Sequence, residues 1–127
     1  MDVTTEIYNT LKELGYFPRW NMNHSGVEFN FMLERVYCHY DSTLNYVSVM
    51  MPNMFTTAAN CHKIIEIVNS RNHIGRLVKL HKYSVSAISS FYIVNENDIK
   101  SQLVVAINDI RLLNESFFHE CRYNNFM

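Results

Sequence analysis

Glycine is scarce, with three residues in 127, and proline scarcer still, with two. Collagen-like and proline-rich disordered chains are thereby excluded. So few glycines also make a phosphate-cradling loop hard to build, and no GxGxxG, Walker, GxSxG or HExxH pattern occurs. The three cysteines, Cys38, Cys61 and Cys121, are odd in number, widely spaced and form no CxxC. That pattern suits neither a disulfide framework nor a zinc site, and reads as free, partly buried thiols in a reducing compartment. Charge is low as well: 18% of residues, against about a quarter in typical soluble domains. Eleven basic and twelve acidic residues give a net charge of −1, so no global field draws the chain to nucleic acid or an anionic membrane. The same balance does little to oppose self-association. The opening Met-Asp-Val-Thr-Thr-Glu has neither a basic nor an apolar leader segment, so a cytoplasmic protein without a signal peptide is expected. The longest stretch without a formal charge, Ser42 to His62, is interrupted by Asn45, Pro52, Asn53 and Asn60 and does not read as a membrane helix.

What is present is a core: 48% apolar residues, in a length suited to one domain over residues 1–127. Val3, Ile7, Leu11 and Leu14 keep helical spacing, with Asp2 or Thr4 as N-cap and Gly15 at the left-handed stop. Period two follows: Val27, Phe29, Phe31 and Leu33 alternate with Glu28, Asn30, Met32 and Glu34. A partner strand is expected within 16–22, held to an edge by Pro18. A turn near Glu34-Arg35 leads to a strand over Val36–Tyr40, and another strand runs from Leu44 to Met51, ended by Pro52. A helix is predicted over 57–70, capped by Thr56 or Thr57, with Ala58, Cys61, Ile64, Ile65 and Val68 as its stripe. Two strands, Leu77–Tyr83 and Val85–Val94, precede the cap cluster Asn95-Glu96-Asn97-Asp98. A long helix then carries Ile99, Leu103, Ala106, Ile107, Ile110, Leu113, Phe117 and Cys121 to about Arg122. The expected fold is α+β, an antiparallel sheet with helices on one face, in the order α-β-β-β-β-α-β-β-α.

No pattern of catalytic residues emerges. Cys38 and His39 are neighbours on a strand and point to opposite faces, so they cannot act as nucleophile and base together. His62 and Glu66 share a helix face, but nothing supplies a third metal ligand at a recognisable spacing. The stretch from Arg71 to Lys82 holds four of the eleven basic residues, without any RNA- or DNA-binding signature beside it. No catalytic, cofactor or metal residue is assigned.

The informative feature is that two strands are apolar on both faces. Tyr46 and Met50 on one strand, and Ile88 and Tyr92 on another, lie opposite the core-facing Val47, Val49, Met51, Val85 and Ala87. A sheet with helices on one side normally leaves its other face polar. Either the chain's own helices cover these strands, or the sheet curls over its core, or a second copy or another protein covers them; for the last case Tyr46, Met50, Ile88 and Tyr92 are the candidate interface.

The run Gly26-Val27-Glu28-Phe29-Asn30-Phe31, then Asp41, Tyr46-Val47-Ser48-Val49 and Met51-Pro52-Asn53-Met54-Phe55, resembles bacterial YbjN-type proteins, whose fold is similar to that of type III secretion chaperones. Leu14-Gly15-Tyr16 and the polar cap Val94 to Asp98 extend the likeness. The turn Met32-Leu33-Glu34-Arg35 departs from it, since a glycine-containing turn is commoner there, and the acidic turn is reduced to Asp41. The resemblance implies a homodimeric, non-enzymatic chaperone-like or adaptor protein, which binds another protein through apolar sheet and helix patches, or by strand addition at a sheet edge. A domain binding a small ligand between sheet and helices is the alternative, and a small enzyme without a recognisable motif comes third. Membrane and nucleic-acid partners are not expected.

Overall fold

A computed structural model describes residues 2–21, 26–56, 61–71, 73–81 and 83–124. Helix α1 (Val3–Glu13) starts where the Asp2 carboxylate accepts the Thr4 N–H, and stops before Gly15, at φ +90°. Four strands follow: β1 (Arg19–Asn21), β2 (Gly26–Phe31), β3 (Glu34–Asp41) and β4 (Tyr46–Thr56). Then come α2 (His62–Asn69), β5 (Arg76–His81), β6 (Ser84–Tyr92) and, after a 3-10 turn capped by Asn95, α3 (Ile99–Tyr123). All strand pairings are antiparallel, and the sheet order is β1-β2-β3-β4-β6-β5. The fold is α+β with the expected order of elements.

One face of the sheet forms the core with the helices. Val27 and Phe29 of β2, Val36 and Cys38 of β3, Val47, Val49 and Met51 of β4, and Val85 and Ala87 of β6 are buried there. Against them α3 lays Ile99, Leu103, Ala106, Ile107, Ile110, Leu113, Phe117 and Cys121, every residue of the predicted stripe. Phe55 closes the far end, with ring centroids 5.2 Å from Phe117 and 5.7 Å from Phe118. Helix α1 packs on β2 and β3, and Tyr8 stacks on Trp20 at 4.6 Å.

Several boundaries differ from the sequence expectation. The β2–β3 turn is Met32-Leu33, not Glu34-Arg35. Both residues have positive φ, 55° and 65°, as a two-residue primed turn demands whatever its side chains. Pro52 does not end β4. The strand continues to Thr56 through a bulge between Met51 and Phe55. Asn53 takes φ +53° there, and its N–H donates to Ser86 Oγ at 3.0 Å. The strand paired with β2 is only three residues long. Within the described residues the second helix spans His62–Asn69; the Thr57 cap and Ala58 lie outside them. Thr56 belongs to β4.

The loop from α2 to β5 is fixed to α3 by acids. The Arg71 guanidinium pairs with the buried Glu120 carboxylate. Asp109, also buried, accepts the Gly75 N–H at 2.6 Å and the Ile74 N–H at 3.3 Å. His73 Nδ1 lies 3.8 Å from Asp109 Oδ1. Gly75 is required by space: a Cβ there would overlap the Ile88 carbonyl oxygen and press on Asp109 Oδ2 at 2.9 Å.

Candidate functional site

Among the described residues, no helix lies over the second face of the sheet. Strand register arranges its side chains in rows. One row crosses all six strands: Arg19, Glu28, Tyr37, Met50, Ile88 and Arg76, each paired with the next. Two residues along, the row is Asn21, Gly26, His39, Ser48 and Ser90. Beyond it lie Asp41, Tyr46 and Tyr92.

The four residues predicted as an interface thus meet as two cross-strand pairs. Met50 is opposite Ile88, and Tyr46 is opposite Tyr92 with ring centroids 4.8 Å apart. The small pair Ser48 and Ser90 stands between them. Beside the Met50–Ile88 pair lies a trough of about 600 Å³ whose walls include Tyr37, His39, Ser48, Met50, Pro52 and Ile88. Tyr92 is 59% exposed, while Tyr46, Met50 and Ile88 are half-buried by their neighbours.

The β1–β2 side of this face is polar and internally paired. Arg19 Nε lies 3.4 Å from Glu28 Oε1, and Arg19 Nη2 donates to Asn30 Oδ1 at 3.2 Å. Asn21 Nδ2 donates to Glu28 Oε2 at 3.1 Å. On the opposite edge, Arg76 has no hydrogen-bond or ion-pair partner among the described residues.

The remaining residues of chemical interest do not converge. Cys38 points into the core, where burial pushes its thiol up to about 12, while His39 stands on the open face. Burial, with Cys61 nearby, pushes the Cys121 thiol up to about 11. Neither thiol is disposed to react near neutral pH. His62 Nε2 and Glu66 Oε1 are 2.9 Å apart on an exposed helix face, and no group of three metal-ligating side chains occurs among the described residues. In the basic stretch, Arg71 is engaged by Glu120, and Arg76 and Lys79 are exposed on β5.

Both sheet edges are blunted. Along β5, the Asn69 side chain accepts the Leu77 N–H at 2.8 Å and donates to the Leu77 carbonyl at 2.9 Å. An amide thus stands where an added strand would pair. At the other edge, β1 is short and preceded by Pro18. The face, not an edge, is the larger unpartnered surface.

Asp109, Glu120 and Asn69 were not singled out from the sequence. Asp109 and Glu120 carried a faint signal, since both fall at the margin of the apolar arc of α3, where a buried acid needs a partner. Asn69 carried none, because its partner is backbone.

No family model, curated protein or solved structure matches the chain. Among the described residues, no helix is long and apolar enough to cross a membrane.

Proposed function

We propose that this chain is a non-enzymatic protein-interaction module, chaperone-like or an adaptor, and that the open sheet face is its docking surface. One observation carries the reading: Tyr46–Tyr92 and Met50–Ile88 are two cross-strand pairs on a face that no helix covers among the described residues. Aromatic side chains on a rigid sheet make good anchors, because they bring large contact area at small cost in ordering, and methionine adapts its shape to a partner. The polar Arg19–Glu28–Asn21 cluster beside them provides a rim. The element order that resembles YbjN-type and secretion-chaperone folds points the same way, including to a homodimer. Neither the buried Cys38 nor the exposed His62–Glu66 pair offers a catalytic arrangement in support of an enzyme.

A second reading, a regulatory domain that binds a small molecule, draws on the trough at Tyr37, His39 and Ser48. A photo-crosslinking residue decides between them. Placed at Tyr92 in the native cell, it should give discrete protein adducts, while the same residue at the exposed Tyr123 should give none above background. Absence of protein adducts at position 92 would contradict the docking reading and favour the small ligand.

A further inference from the structure

Resting on that reading, we propose that the occupant of the open face is a second copy of the same chain, related by a two-fold axis that runs along β4 past Met50. Sheets that stack face to face keep their strands within about 30° of each other, so the axis lies nearly along or nearly across the strands. An axis across the strands sets each strand on its own copy and, placed at the Met50 row, brings Glu28 onto Glu28 and Arg76 onto Arg76. An axis along the strands keeps each row at its own level and reverses the strand order. Its position is then set by what meets.

With the axis on β4, β3 of one copy lies over β6 of the other, and β2 lies over β5, as the strand order dictates. Met50 meets Met50, and Tyr46 meets Tyr46. Tyr37 meets Ile88 of the second copy. Glu28 meets Arg76 of the second copy, the cation without an internal partner among the described residues. In the next row but one, Asp41 meets Tyr92 of the second copy. Asp41 Oδ1 accepts the Thr43 and Leu44 N–H groups at 2.9 and 3.3 Å, which leaves Oδ2 for the phenol. His39 meets Ser90 of the second copy. The centre is apolar and both flanks are complementary, repeated twice by the symmetry.

Neighbouring placements match less. An axis between β3 and β4 sets Arg19 against Arg76 and Glu28 against Ile88. An axis on β3 sets Glu28 against Met50. An axis between β4 and β6 keeps the apolar contacts but leaves Glu28 and Asp41 without partners in the second copy. The axis on β4 overlaps five strands, roughly 24 Å by roughly 20 Å at ordinary strand spacing, or roughly 500 Å² per copy. Both copies together bury roughly 1,000 Å² before side-chain relief is added, the size at which specific interfaces begin.

The test is light scattering and sedimentation equilibrium on the full chain, with folding followed by circular dichroism. A dimer is expected at about 100 µM or below. Met50→Lys, which sets two ammonium groups together on the axis, should weaken it more than about a hundredfold. Arg76→Glu should weaken it about tenfold, and adding Glu28→Arg should restore it to within about threefold of the parent. Arg76→Glu disturbs no internal pair among the described residues, so its effect reads the interface even if Glu28→Arg loosens β1. A monomer throughout, a dimer indifferent to Met50→Lys, or a double variant no tighter than Arg76→Glu would each overturn the proposal. A monomer that still gives adducts from position 92 to a different protein would overturn self-pairing and leave the docking face standing.

Discussion

Asp109→Ala is expected to lose roughly 3–5 kcal/mol of folding stability, a large share of what a domain this size has. The carboxylate is buried and is the acceptor for two backbone N–H groups, Gly75 at 2.6 Å and Ile74 at 3.3 Å. Alanine leaves both donors without it, in a site closed by α3, at a cost beyond the lost bonds. The loop cannot shift inward to compensate, because Gly75 already lies against the Ile88 carbonyl. The melting temperature should fall by roughly 10–20 °C. Asp109→Asn keeps one acceptor oxygen and should recover about half of the loss. A loss of under about 1 kcal/mol for alanine, measured by urea unfolding, would show that the loop is held by something else. The consequence reaches the open face, since Gly75 leads directly into Arg76 and pins β5 beside Ile88.

Replacing Met32-Leu33 by Asn-Gly should raise stability by roughly 2 kcal/mol and the melting temperature by roughly 5–10 °C. Both residues hold positive φ, which costs a side-chain-bearing residue about 1 kcal/mol or more. Leu33 is fully exposed and Met32 is 41% exposed, so little packing is lost in exchange. Asn-Gly meets the same backbone angles without the Cβ conflict at the second position. An unchanged or lower melting temperature would mean that the two side chains contribute more to the folded state than their exposure indicates.

The element types and the apolar positions on the open face were legible because both rest on periodicity. Two-sided apolar alternation picked out Tyr46, Met50, Ile88 and Tyr92, and register then set them in facing pairs. The trough beside Met50 was not legible. It depends on which residues of β3, β4 and β6 fall side by side, and register between strands separated by α2 and β5 is not written in either strand alone. The turn at Met32-Leu33 was missed because neither residue carries turn chemistry; the sheet imposes the conformation on them. Pro52 read as a strand end because a proline donates no ladder hydrogen bond, and a bulge beside it removes that need. The loop anchors Asp109 and Glu120 were overlooked because helical periodicity registers apolar positions and passes over an acid whose partner is a distant backbone or arginine.

Hydroxyl-radical footprinting of Tyr92 and Met50, in intact cells and in the dilute purified chain, tests most directly whether the open sheet face is covered in the working protein. The account predicts several-fold protection of both residues in the cell, with Tyr123, 79% exposed on the far end of α3, reacting equally in both samples. Equal reactivity of Tyr92 and Met50 in the two samples would contradict it.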